Sequence, residues 1–298
     1  MTASPAASPA ASPAVSPWRG HDLGTRTVAY TERDAILYAL AVGARADDLD
    51  LVFEERLRVL PTFALTLAQW APDALGALGA FDTATAVHGS QRLTVRRPLP
   101  RAGELSMTAR VAEVWDKGGA AVFDVEVESD HFLATWSLFA PGGGGFGGER
   151  GPGGPRRPER AADRRLTVAT HPEQAAHYRL LGDRHHMHID PGAARAAGMP
   201  RPFLHGLCTL AALTLPAAGV LGNHPADLTE LEARFSAPVF PGDRLTADAW
   251  DDGPGGLRLE ASAYGRPVLS GVRVRFAAAP SSEGPSDAPR QHKETHGA

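Results

Sequence analysis

Between residues 123 and 128 the side chains alternate: Phe123, Val125 and Val127 are apolar, while Asp124, Glu126 and Glu128 are acidic. A period of two marks a strand with one face in a core and the other in water. Residues 92–99 (RLTVRRPL), 105–115 (LSMTARVAEVW) and 131–140 (HFLATWSLFA) extend the set, and the pattern predicts an antiparallel sheet. Upstream the period is helical. Thr31 and Asp34 read as a helix-start cap, and apolar residues at helical spacing run from Ala35 until Gly43 stops them. Pro61-Thr62-Phe63 opens a second apolar helix over 64–70, expected to end before Pro72. This half reads as helices followed by a sheet, an α+β arrangement.

The same order returns after Leu166. An apolar helical run after 205 precedes strand-like stretches at 231–239, 244–250, 257–264 and 271–276, the last alternating Val272, Val274 and Phe276 with Arg273 and Arg275. PLPRAGEL at 98–105 matches PVFPGDRL at 238–245, and Pro61-Thr62-Phe63 precedes the first by nearly the offset at which Pro202-Phe203 precedes the second. The chain is therefore a duplicated helix-then-sheet unit. Its expected divisions are an Ala-Ser-Pro arm over 1–21, an N-terminal unit over 22–140, a Gly/Pro-rich linker over 141–164, a C-terminal unit over 165–279 and a polar tail over 280–298. The arm and the tail are expected to be disordered, having nothing to bury. The glycine-rich run 141–155 lacks a following Lys-Ser/Thr and a helix to cap, so a flexible connection is expected in place of a phosphate cradle.

Candidate chemistry gathers in one stretch, residues 178–209. It holds Asp183, the histidines His185, His186 and His188, a second acid Asp190, and then His205-Gly206 at the opening of the apolar helix. An Asp and a His five residues apart can face one reacting atom if the loop between them curls. A nearby helix start adds unpaired N–H groups and the positive end of a dipole. Those are the parts that acid–base chemistry at an activated carbonyl requires. The matching stretch of the first unit, YALAVGARADD, carries no such cluster, so that unit reads as catalytically empty and as shaping a substrate cavity. A metal site built from His185, His186 and His188 is the rival reading, although their spacing fits no settled zinc pattern. Tyr178 and Cys208 read as packing residues, and His205 as a cap or packing group at the helix start.

Composition narrows the classes. The 298 residues are 43% hydrophobic and 21% charged, which suits a soluble globular protein with a real core. A net charge of −4 without a basic stripe argues against nucleic acid as a partner. No apolar run reaches membrane-spanning length, and the N-terminus lacks the basic start and apolar run of a signal peptide. A single cysteine, Cys208, leans towards a reducing compartment, and a cytoplasmic location is expected. Richness in Ala, Gly, Pro and Arg suggests a GC-rich bacterial genome.

The residues Tyr178-Arg-Leu-Leu-Gly-Asp183, His188-Ile-Asp-Pro and Arg201-Pro-Phe-Leu-His-Gly206-Leu resemble the MaoC-like (R)-specific enoyl-CoA hydratases, in particular the hydratase-2 type found in peroxisomal multifunctional enzymes. In the first unit RDAILYALAVGA, LPTF, VHGSQRL, RPLP and LFAPGGGGFGG resemble the N-terminal half of that group, so the likeness spans roughly 22 to 278. It implies a double hot-dog fold, two long helices each wrapped by a curved antiparallel sheet. It also implies addition of water to a trans-2-enoyl thioester, giving the (3R)-hydroxyacyl product, or the reverse dehydration. Asp183 and His188 would then handle the proton, and the N–H of Gly206 would hold the thioester oxygen. No metal or redox cofactor is implied, coenzyme A being part of the substrate. Arg97 and Lys117 are candidates to meet its phosphates, and a homodimer is possible.

One departure stands out. The family pattern Gly-Asp-x-Asn-Pro-Leu-His reads Gly182-Asp183-Arg184-His185-His186-Met187-His188 here, so His185 takes the place of the orienting Asn and His186 that of the Pro. Two rivals follow. One is a dehydratase or lyase of a specialised biosynthetic pathway, working on an unusual or carrier-bound acyl group. The other is an acyl-thioester-binding protein with a decayed site.

Overall fold

The computed structural model describes residues 16–277. The Ala-Ser-Pro repeats up to residue 15 and the tail from 278 lie outside the described residues. Within the expected arm, residues 16–21 are structured: a turn brings the Gly20 N–H to the Val111 carbonyl at 2.7 Å, and Trp18 packs against the core.

The N-terminal half opens with a strand the side-chain pattern had not signalled, β1 (Asp22–Tyr30), followed by α1 (Glu32–Ala41) and the short α2 (Leu49–Val52). Thr31 and Asp34 close the expected capping box at the start of α1. The next helix is split into α3 (Phe63–Leu67) and α4 (Trp70–Ala77), so Pro72 does not end it. A continuous helix would need a Pro72 N–H to bond the Ala68 carbonyl, and proline has none. By restarting at Trp70 the chain puts Pro72 in a first turn, where a missing N–H costs nothing. Four strands then follow: β2 (Val87–Val95), β3 (Gly103–Asp116), β4 (Ala120–Glu128) and β5 (Phe132–Pro141).

The second half repeats the plan with β6 (Arg164–Ala169), α5 (Gln174–Tyr178), α6 (Pro191–Ala196), α7 (Gly206–Val220), β7 (Leu228–Phe235), β8 (Arg244–Asp251), β9 (Gly256–Ala263) and β10 (Arg266–Phe276). All ten strands form one sheet in the order β1-β3-β4-β5-β2-β7-β10-β9-β8-β6. Read outward from the centre, each half has its second strand innermost and its first strand at the edge. The duplication seen in the sequence is thus a duplication of topology. The halves join where β2 and β7 pair antiparallel, Leu93 opposite Leu231. The two helix-and-sheet units thus pair inside one chain.

α7 is apolar on nearly every side and lies against β6, β7 and β10, while α4 lies against β1 and β4. At 123–128 Phe123, Val125 and Val127 are buried as predicted, but Asp124 on the other face is buried as well, its carboxylate accepting from Trp115 Nε1 and Ser137 Oγ. No helix among the described residues is long and apolar enough to cross a membrane.

The Gly/Pro-rich segment is bound to the sheet rather than hanging free. The Asp116 carboxylate accepts the N–H groups of Gly118, Gly145, Gly147 and Gly148 at 2.7–3.3 Å. These bonds hold its carboxyl down to about 2. The glycine N–H groups that suggested a phosphate cradle are therefore spent on an internal acid. Further along, Arg157 pairs with Asp248 at 3.0 Å, and the Trp250 indole donates to the Arg160 carbonyl at 2.9 Å. Replacing Asp116 with Ala removes the shared acceptor. Limited proteolysis is expected to cut the variant between 142 and 151 faster than the parent protein; equal rates would show that the acid does not hold the segment.

Candidate active site

The acid and histidines stand on a loop between α5 and α6 that rests on the other half of the molecule. Gly182 approaches α3 so closely that a Cβ there would come within 3.0 Å of the Thr66 carbonyl oxygen. Further back along the chain, α5 is fastened to the same half. Tyr178 is buried, its hydroxyl 3.1 Å from Thr66 Oγ1, and Gln174 donates to the Ala41 carbonyl at 3.0 Å. The half that reads as catalytically empty is the platform of the loop.

From this platform Asp183 points at the start of α7. His185 donates through Nδ1 to Asp183 Oδ1 at 2.5 Å, and its backbone N–H reaches the same oxygen at 3.1 Å. Burial raises the carboxyl pKa, but the His185 hydrogen bond and the surrounding imidazoles of His205, His185 and His188 outweigh it, and Asp183 lies well below the usual range. In return, the bond to Asp183 raises His185 above its ordinary value. One carboxylate oxygen is thus fixed by His185, leaving Oδ2 for a further partner.

His188 lies in a tight turn over 186–188 and is 8% exposed. Its Nδ1 donates to the Phe203 carbonyl at 2.8 Å, which fixes the tautomer and leaves the Nε2 lone pair free. Burial lowers its pKa, so the ring is neutral at neutral pH. His205 stacks on it with ring centroids 3.8 Å apart, and Tyr178 packs on the other ring neighbour at 4.8 Å from His205. The side chain of His205 does not cap α7; its Nε2 donates to the Asp183 carbonyl at 3.1 Å instead. The helix therefore begins at Gly206 without a side-chain cap, with its N–H groups and dipole directed at the loop. Gly206 is required by contact: a Cβ there would lie 2.8 Å from the Phe235 ring.

The structure brings together Asp183, His185 and His188 at the start of α7, where Gly206 stands. The trio of the rival metal reading, His185, His186 and His188, does not cluster. The grouping that does converge is Asp183, His188 and His205, one potential ligand atom from each lying within 4.8 Å of the others. Asp190 is a helix cap, accepting from Gly192 and Ala193. Cys208 is fully buried, and burial pushes its thiol up to about 12, as befits a packing cysteine. Arg97 and Lys117 are not brought together. Arg97 binds Asp130 beyond one end of β4, and Lys117 contacts the Arg150 carbonyl at the other end. Nine residues of extended strand, about 30 Å, separate them.

Two residues of the first half escaped the sequence reading. Asp73 on α4 and His88 on β2 both lie close enough for the charge of Asp183 to act on them. Burial raises the Asp73 carboxyl and drives His88 down to about 4, while His88 packs on Phe235 at 4.6 Å. Asp73 belongs to no local motif and His88 lies in the VHGSQRL stretch without an assigned role, so only the packing of the two halves places them near Asp183.

An acid and a neutral histidine at the bare start of a buried helix, inside paired helix-and-sheet units, define a double hot-dog protein with an acid–base site. Comparison with known proteins gives the family. The MFE-2 hydratase 2 N-terminal domain matches residues 28–135, and the MaoC like domain matches residues 155–277. The 3-hydroxyacyl-thioester dehydratase Y of Mycobacterium tuberculosis is 40% identical over 272 residues, covering 84% of this chain and 93% of that protein. The peroxisomal multifunctional enzyme type 2 of Mus musculus is 38% identical over 256 residues, 78% of this chain but 34% of that longer protein. Among solved structures, a MaoC-like dehydratase from Phytophthora capsici aligns with a TM-score of 0.76 at 26% identity, over 87% of this chain and 96% of its own. The chain belongs to the MaoC-like hydratase-2 family, and the double hot-dog expectation holds.

Proposed function

We propose that the protein is a hydro-lyase that adds water to trans-2-enoyl thioesters of coenzyme A, giving (3R)-3-hydroxyacyl thioesters, and catalyses the reverse dehydration. The observation that carries this reading is the proximity of Asp183 and His188, one acceptor atom of each within 4.8 Å of the other and with Asp183 Oδ2 and His188 Nε2 left unbonded, beside the uncapped N-terminus of α7. A water between them donates a hydrogen bond to each, which turns an oxygen lone pair towards the β-carbon of a bound enoyl group. As the C–O bond forms, one of the pair takes a proton from the water and passes that same proton to the α-carbon, so one water O–H bond breaks while the C–O and α-carbon C–H bonds form. Negative charge grows on the thioester oxygen meanwhile, and the Gly206 N–H at the helix start stabilises it. These side chains and this N–H supply every part the reaction needs, so the reading calls for no metal or redox cofactor beyond the coenzyme A of the substrate. His185 acts as the orienting group, holding Asp183 by the oxygen that water does not use.

The family relatives bear names of this activity in both directions, enoyl-CoA hydratase and 3-hydroxyacyl-thioester dehydratase, which supports a reversible hydro-lyase. They include peroxisomal proteins as well as bacterial ones. A cytoplasmic location in a bacterium is our reading for this chain and fits its single, buried, unpaired thiol. Because β2 and β7 already pair the two units, a single chain is expected to be active; light scattering together with turnover would test it.

The direct test follows loss of the conjugated enoyl absorbance with short, medium and long trans-2-enoyl-CoA substrates, with chiral analysis of the product. Turnover to the (3R) alcohol is expected. Tight binding without turnover would replace the enzyme by an acyl-thioester-binding protein, and turnover only of carrier-bound substrates would replace the coenzyme A ester. His185→Asn is expected to stay within about tenfold of the parent kcat/KM, since an amide N–H still reaches Asp183 and only the charge-assisted part of one hydrogen bond is lost. A much larger drop would make His185 a proton carrier rather than an orienting group.

A further inference from the structure

Beyond the water, the same pocket presents a donor set that no step of hydration uses in full. His205 is 2% exposed, and its Nδ1 makes no hydrogen bond among the described residues. Because Nε2 carries the proton that bonds the Asp183 carbonyl, Nδ1 bears a buried, unpartnered lone pair. A buried acceptor left unpaired costs about 1–3 kcal/mol, which a ligand at this nitrogen would relieve. His205 clusters with His188 and Asp183, one candidate ligand atom of each lying within 4.8 Å of the others, and His188 keeps a free Nε2 and Asp183 a free carboxylate oxygen. All three offer lone pairs and none offers a proton.

We propose that Asp183, His188 and His205 form a tridentate site for a divalent transition cation of the Zn2+ class, and that the cation shuts the enzyme off reversibly. Two imidazoles and one carboxylate suit Zn2+ or Co2+, whereas Mg2+ and Ca2+ prefer oxygen alone. Each ligand is already held from behind, His188 by the Phe203 carbonyl, His205 by the Asp183 carbonyl, and Asp183 by His185. Such backing fixes tautomer and ring orientation in metal sites generally. Burial keeps both rings neutral, so neither must lose a proton to bind. Ligand atoms around tetrahedral zinc stand about 3.4 Å apart, given bonds of about 2.1 Å. One candidate ligand atom of each residue lies within 4.8 Å of the others, and the two imidazoles are stacked at 3.8 Å, so binding turns the rings until both lone pairs face the ion. Bound metal takes the lone pairs of Asp183 and His188 that the water proton needs, and hydration stops. That last step rests on the hydratase reading, whereas the binding does not.

The test starts from full-length protein treated with a chelator. Zn2+ is titrated by calorimetry in a non-coordinating buffer, and Co2+ by its visible absorption, neither of which depends on turnover. One equivalent is expected to bind, with affinity lowered more than about tenfold in each of Asp183→Asn, His188→Gln and His205→Gln and unchanged in His186→Ala. Circular dichroism verifies folding, and His188→Gln carries the test if the buried His205 variant fails to fold. Binding that survives His188→Gln, or disappears in His186→Ala, would overturn the site, as would the lack of a one-equivalent isotherm. In the activity arm, Zn2+ should inhibit enoyl-CoA hydration at the concentrations where it binds, and EDTA should restore the rate. Full turnover with the site saturated would overturn the shut-off and place the catalytic water elsewhere, while the binding data stood.

Discussion

Replacing Asp183 with Asn is expected to lower kcat/KM for enoyl-CoA hydration by about 10³-fold, within the range that acid–base groups contribute. The amide has nearly the shape of the carboxylate, and its oxygen can still accept from His185 at the position now 2.5 Å away. The difference lies at the other atom, where Oδ2 becomes an NH2 group. That group donates where the water needs an acceptor, so the water loses both its orientation and one route for its proton. The variant should keep its affinity for enoyl-CoA and its fold, which separates a chemical loss from a structural one. His188→Gln is expected to fall by a comparable factor. The double variant should be no slower than the worse single one, because the two residues act on one water as a unit. Product formation at a tenth of the parent rate by Asp183→Asn would remove Asp183 from the proton path.

The second large effect is expected from adding one methyl group. In Gly206→Ala the new Cβ would meet the Phe235 ring at 2.8–2.9 Å, closer than atoms can approach. Phe235 cannot swing away freely, because it ends β7 and packs on His88 at 4.6 Å. Either the ring or the first turn of α7 must shift, and the N–H proposed to hold the thioester oxygen shifts with it. A displacement of about 1 Å at a reacting centre can cost on the order of 10²-fold, so kcat/KM should drop by that order. The loss should fall mainly on kcat, since the oxygen develops its charge in the transition state. Phe235→Leu in the Gly206→Ala background makes room for the methyl group and should recover at least part of the rate. Equal activity of Gly206→Ala and the parent would mean that the helix start does not hold the thioester.

The sequence alone determined the parts that are local. Alternation at 123–128 made a strand because a period of two puts one set of side chains on each face, whatever surrounds it. The Thr31–Asp34 capping box formed as read because both partners lie within a single turn. The repeated prolines and strand spacings revealed two copies of one unit, and Asp183 and His188 stood out because their motif is compact. β1 went unseen because its residues are mixed in exposure, and nothing in the spacing of DLGTRTVAY distinguishes its faces. The split at Pro72 followed from a missing N–H, but where the helix would resume depended on packing against β1 and β4.

Tertiary structure decided what joins residues far apart in the chain. Gly182 meets Thr66, Asp73 and His88 come within the influence of Asp183, and the glycine-rich segment spends its N–H groups on Asp116. His205 read as a cap or packing group, whereas folding turned it towards the Asp183 carbonyl and left a lone pair buried beside the catalytic pair. Such contacts arise only when two separately patterned units bury their apolar faces together. Apolar burial has no direction and carries no record of which polar groups it will bring face to face.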